Sequence, residues 1–279
     1  MKSVSTLPNL LTLANAGCGL LAISKAIDAL AYPANFDRKL ETACWLVCLA
    51  MVFDALDGKV ARLMDSFSDF GAQLDSFADA ITFGVAPAIL AKVLIEHHDV
   101  GHPRLNFLAA ASFALMAILR LARFNLDNDH DESAHSSFDG LPSPAAAGTV
   151  VATVLMVLSL GGDIEVADGT PTPLSRGLAI LPAGLREMLP GILIPFLAFL
   201  LPALGLLMVS RVRYTHLGSV LFRRQVQFPQ LTSIVFGALF FYIAPVPFLF
   251  VAGVSYVTYG LVRTARSARG RDQDQRRAA

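Results

Sequence analysis

The sequence predicts an all-α polytopic membrane protein, a bundle of about eight transmembrane helices with both termini on the cytoplasmic side. Composition is the first reason. Of 279 residues, 54% are hydrophobic and only 16% are charged, with a mean hydropathy of +0.57, which is too apolar for a soluble domain. Periodic recurrence of apolar segments near spanning length is the second: they fall at 8–30, 43–64, 72–96, 105–124, 144–160, 187–209, 230–244 and 246–263. The third is charge asymmetry. Fifteen of the 22 Lys and Arg fall on the termini and one set of alternate connections, and seven on the other set, which places the richer side in the cytoplasm.

No long polar linker divides the chain, so residues 1–263 read as one membrane domain followed by a basic, disordered cytoplasmic tail over 264–279. Net charge is zero and gives no reason to invoke a nucleic-acid partner. The Arg-rich segments at 210–230 and in the tail suit membrane lipids with anionic headgroups. Cys18, Cys44 and Cys48 all lie in apolar segments without a CxxC spacing, which argues against zinc and disulfide frameworks. Lys2 precedes an apolar run long enough to span, read as an uncleaved first helix.

In chain order, the first segment carries Asn9, Thr12 and Asn15 along one stripe. Such a stripe either bonds neighbouring helices or lines a polar cavity. A mixed-charge connection over 31–42 leads to the second segment. Pro87 in the third segment is expected to kink it. The following turn, with His97, His98 and His102, is assigned no metal. Segment four ends in Arg120-Leu-Ala-Arg123-Phe-Asn125, where the arginines either snorkel to headgroups or bind an anion. Gly140-Leu-Pro-Ser-Pro144 then opens a small-residue helix suited to close packing. The Gly- and Pro-rich loop 161–186 is external. Segments seven and eight form a tight hairpin about Pro245 and Pro247.

The chemistry concentrates between residues 54 and 79. Asp54 and Asp57 are three apart and Asp75 and Asp79 four apart, so each pair shares one helix face, together with the small residues Gly58, Ala61 and Gly71. Single carboxylates at helix ends are commonly solvated. Four at helical spacing, sunk in apolar sequence, are costly unless they serve a function. They repel one another unless a cation neutralises them, and an all-oxygen set suits hard divalent ions.

The run Asp54-x2-Asp57-Gly58-x2-Ala61-Arg62-x8-Gly71-x3-Asp75-x3-Asp79 resembles the signature of the CDP-alcohol phosphatidyltransferase family. The segments PNLLTLAN, LDSFADAITFGVAPA, RLARFN and GLPSPAAAG are similar to its phosphatidylserine synthase branch. The resemblance covers roughly the first 150 residues well. It implies an integral-membrane enzyme of the inner (cytoplasmic) membrane that joins CDP-diacylglycerol and L-serine to give phosphatidylserine and CMP. It further implies two Mg²⁺ or Mn²⁺ ions on Asp54, Asp57, Asp75 and Asp79, with Asp79 also the general base, and a homodimer. Asn15, Gly58, Arg62 and Ser68 would take CDP-diacylglycerol, and Arg120, Arg123 and Asn125 the serine, with Arg123 preferred for its carboxylate because of its helix-end position. A sibling transferase acting on inositol phosphate, glycerol phosphate or choline is the alternative. An ion-coupled transporter is the more distant one, since no internal repeat is present.

Overall fold

The computed structural model describes residues 6–64, 69–128, 138–161, 178, 182–214 and 228–278. Among the described residues, eight helical runs match the eight apolar segments. They are α1 (Thr6–Ala31), α2 (Phe36–Leu63), the run α3 (Asp69–Asp79) into α4 (Ala86–His97), α5 (Pro103–Asn128), α6 (Ser143–Gly161), α7 (Ala183–Val209), α8 (Phe228–Ile243) and α9 (Pro245–Ala278). Among the described residues, six of these are long and apolar enough to cross a membrane. The two others have plain reasons for falling short. The charged groups of α2 lower its hydropathy, and α8 has only 16 residues.

The sequence explains each boundary locally. A single 3₁₀ turn at Pro33–Asn35 separates α1 from α2. Asp37 in the first turn of α2 and Arg62 in its last both complement the helix dipole. Pro190, Pro195 and Pro202 lie inside α7, where each removes one N–H from the helical ladder. Ala244 alone interrupts α8 and α9; its N–H donates to the Phe240 carbonyl, and the rings of Phe241 and Phe248 meet edge-on across the junction.

One expectation gains a local cause and one changes. Pro87 sits at the start of α4, directly after a π-helical turn over Ala80–Val85 in which the Ala86 N–H bonds the Ile81 carbonyl. Proline has no N–H for the ordinary ladder and its ring crowds the previous turn, and the widened coil absorbs both. The basic tail expected to be disordered from 264 is instead a continuation of α9 to Ala278. Ala, Arg and Gln dominate RTARSARGRDQDQRRA, and all three propagate helix well.

α6 is the axis of the bundle, buried from Ser143 to Leu160 apart from partial exposure at Pro144, Ala145 and Gly148. Small residues let its neighbours approach. A Cβ on Gly253 of α9 would stand 3.0 Å from the Thr149 hydroxyl, and one on Gly148 would stand 3.4 Å from Met51 of α2. Around α6, the first helix packs chiefly on α2, and α5 on α7. A short antiparallel pairing of Phe138–Asp139 with Arg213–Tyr214 ties the start of α6 to the end of α7.

Candidate active site

Alternation of the passes gathers one end of each helix together: the N-terminal half of α1, the ends of α2 and α5, and the starts of α3 and α6. The signature aspartates meet there. Single carboxylate oxygens of Asp54, Asp57 and Asp75 all lie within 4.8 Å of one another. Asp79 packs against Asp54 from one turn deeper in the bundle. Asp57 and Asp79 are buried, and Asp54 and Asp75 half-buried.

The polar stripe of α1 faces this cluster. Thr12 Oγ1 lies 3.1 Å from Asp57 Oδ2 and equally far from the Pro8 carbonyl, so its one proton is shared between them. Asn15 Nδ2 donates to Asp79 Oδ1 at 3.2 Å. The Asn15 carbonyl in turn accepts from Thr82 Oγ1 in the π turn at 3.2 Å. Gly19 permits this approach, because a Cβ there would collide with Thr82. The two readings of the stripe therefore merge: it bonds neighbouring helices, and those bonds hold the acidic groups.

A divalent ion fits these residues. The donors are all hard oxygens. Asp75 Oδ1 is buried with no hydrogen-bond partner, a costly state that a bound cation relieves. The remaining site residues spread around the cluster. Gly58 faces open space beside Asp57, and Arg62 is exposed one turn on, its Nε donating to the Gly58 carbonyl at 2.9 Å. Ser68 lies outside the described residues. Asn125 exchanges hydrogen bonds with Ser76, its Nδ2 donating at 2.9 Å, and so braces α3 beside Asp75.

The arginines part company. Arg123 is exposed, whereas Arg120 turns inward, interacting electrostatically with Asp79 on one side and Tyr256 of α9 on the other. Arg120 Nη1 donates to Ser143 Oγ at 2.8 Å, and its Nε is buried without a partner. The geometry thus favours Arg120 over Arg123 as the inward-facing cation. Three helical residues rotate the side chain by nearly a full turn less 60°, enough to separate a core-facing position from a solvent-facing one. Sequence reasoning placed Thr12 in the α1 stripe but missed Ser76, Ser143, Tyr214 and Tyr256 as site neighbours. The tyrosines come from segments remote in sequence and carry no spacing signal.

Residues 5–181 match the family model described as CDP-alcohol phosphatidyltransferase. The chain belongs to the CDP-alcohol phosphatidyltransferase family. A Helicobacter pylori protein named CDP-diacylglycerol–serine O-phosphatidyltransferase is 31% identical over 256 residues, covering 92% of this chain and 90% of its own. The archaetidylserine synthase of Methanothermobacter thermautotrophicus is 40% identical over 152 residues, 54% of this chain and 58% of its own. A Bacillus subtilis CDP-diacylglycerol–serine O-phosphatidyltransferase is 34% identical over 145 residues, 52% of this chain and 73% of its own. Likeness to the Helicobacter protein thus runs well past the first 150 residues. This member of the family is a multi-pass membrane protein with an aspartate cluster at one end of its bundle.

Proposed function

We propose that this chain transfers the phosphatidyl group of CDP-diacylglycerol to L-serine, giving phosphatidylserine and CMP. The observation that carries the reading is the aspartate cluster of the family signature, assembled in a chain whose full-length relative bears the serine transferase name. Asp54, Asp57, Asp75 and Asp79 would hold two Mg²⁺ or Mn²⁺ ions, whose chemistry is to neutralise the pyrophosphate and the charge that develops on it. The serine hydroxyl attacks the phosphorus that bears diacylglycerol. The bond from that phosphorus to the CMP oxygen breaks, and the hydroxyl proton passes to Asp79. Asn15 holds Asp79 in place from behind. Gly58 leaves room for the nucleotide beside Asp57, and Arg62 and Ser68 contact its phosphates. The inward-facing Arg120 suits the serine carboxylate, and Asn125 braces α3 through Ser76.

In this reading the site faces the cytoplasm of the inner membrane, where serine is dissolved and the lipid donor enters sideways. The test is an acceptor panel with purified protein in mixed micelles of CDP-diacylglycerol and Mn²⁺ or Mg²⁺. CMP should be released with serine in preference to inositol phosphate, glycerol phosphate or choline. Preference for one of those sinks the serine assignment while leaving the transferase. A cysteine at exposed Met64, on a background lacking the native cysteines, should react with an impermeant thiol reagent only from the cytoplasmic side.

A further inference from the structure

Beyond the aspartates, a second polar cluster closes the same end of the bundle. Tyr214 ends the short strand after α7, fixed by pairing with Phe138. Its ring occupies the place where a Cβ on Gly260 of α9 would stand. Ring centroids of Tyr214 and Tyr256 lie 5.5 Å apart, and Tyr256 interacts electrostatically with Arg120. Ser143, at the start of α6, meets Arg120 Nη1 from the remaining side. Elements α5, α6 and α9 thus meet at one guanidinium, and the post-α7 strand joins the cluster through the contact of Tyr214 with Tyr256.

Two donors in this cluster have no protein partner. Arg120 Nε is buried and unpaired, and so is the hydroxyl of Tyr214, whose residue is only 3% exposed. Burial holds the Tyr214 phenol above its ordinary pKa, so it remains a protonated donor. A buried donor without a partner is rare and costly, and two together call for an acceptor with more than one oxygen. Arg120 adds a positive charge, which selects an anion, and its planar fork matches a carboxylate.

We propose that Tyr214 and Tyr256, with Ser143, form with Arg120 the pocket for the acceptor's carboxylate, and that this pocket sets preference for an amino acid over a simple amino alcohol. Arg120 Nε and the Tyr214 hydroxyl donate to the carboxylate. Ser143 fixes the guanidinium, and Tyr256 walls the pocket from α9. An acceptor lacking the carboxylate leaves a charged donor and a hydroxyl buried and unpaired, a larger penalty than losing one contact.

This inference rests on the serine reading, and its test separates the two. Purified wild type and Tyr214→Phe are compared in mixed micelles with serine and with serinol, which replaces the carboxylate by a hydroxymethyl group. Phenylalanine keeps the ring against Gly260 and removes only the hydroxyl. Serine KM should rise by about tenfold or more. CDP-diacylglycerol KM should stay within about twofold, and the preference for serine over serinol should shrink by the same factor as serine KM rises. An unchanged serine KM and unchanged preference overturn the tyrosine pocket even while wild type makes phosphatidylserine. A wild type indifferent to serine overturns the reading beneath it. Should Tyr214→Phe fail to fold, Ser143→Ala, which releases the guanidinium from its fixed position, carries the same comparison, and unaltered serine-to-serinol preference there has the same meaning.

Discussion

The two ends of this bundle handle polar groups in opposite ways. At the end away from the aspartates, polar groups satisfy each other. Lys92 Nζ donates to Glu96 at 2.6 Å, Asn106 to the Val100 carbonyl at 2.9 Å, and Lys39 to the Asp28 carbonyl at 3.3 Å. Phe36 stacks on His97 at 3.5 Å, and burial, with the neighbouring His97, holds His98 below its ordinary pKa. At the aspartate end, all six buried polar side-chain atoms without partners among the described residues are found: on Asn9, Asn15, Asp75, Arg120, Tyr214 and Thr264. Folding alone would not retain such atoms, since each costs roughly 1–3 kcal/mol. One end is closed by its own side chains; the other carries unpaired donors and acceptors that a ligand can meet.

Removing the ions tests this contrast most severely. Chelation, or Asp57→Ala, should reduce CMP release to background while the protein stays folded. Asp75→Asn should lose turnover as well. In chelator it should nevertheless melt higher than wild type, because it removes one of several like charges crowded within 4.8 Å. At this chain length each kcal/mol relieved corresponds to roughly 2–4 °C. Full activity in chelator would sink the metal reading. A chelator-treated Asp75→Asn that melts lower than wild type would show the carboxylate to be a structural partner instead.

Next in size are Asp79, the proposed proton acceptor, and Asn15 behind it. Asp79→Asn should lower kcat about 10²–10⁴-fold with CDP-diacylglycerol still bound, the range expected on losing a general base. Asn15 touches Asp79 only through one 3.2 Å hydrogen bond, so Asn15→Ala should cost less, about 10–100-fold in activity or metal affinity. If Asn15→Ala costs as much as Asp79→Asn, Asn15 contacts substrate directly, and its unpartnered Oδ1 is the atom to examine.

Legibility in the sequence followed the same divide. Periodic patterns carried far: the eight apolar segments became eight helical runs, six of them of spanning length and hydropathy, and the carboxylate spacings over 54–79 became one cluster. Features that depend on rotation about a helix or on meetings between distant segments did not. Arg120 and Arg123 are equivalent by composition and differ only in which way three residues of helix turn them. Pro87 announces a broken ladder but not the π turn that absorbs it. Tyr214 and Tyr256 are 42 positions apart, and nothing in either segment points to the other. The Arg-rich tail reads as disordered by charge, yet continues the helix whose start lies inside the bundle.

The smallest effect belongs to the end that needs nothing added. Lys92 and Glu96 stand four apart on α4 with side chains 30% and 25% exposed, a geometry that closes a short ion pair. Lysine precedes glutamate, the less favourable order along the helix dipole. Partial exposure screens the pair further, so its contribution should be no more than about 0.5 kcal/mol. Lys92→Gln should therefore shift the melting temperature by roughly 1–2 °C at most. Serine KM, CDP-diacylglycerol KM and the metal requirement should be unchanged, because no donor or acceptor at the aspartate end loses a partner. A thermal melt read beside a CMP-release assay decides it. Any change in serine KM would mean that the two ends communicate through α4, whose first turn follows the π segment that Thr82 ties to Asn15.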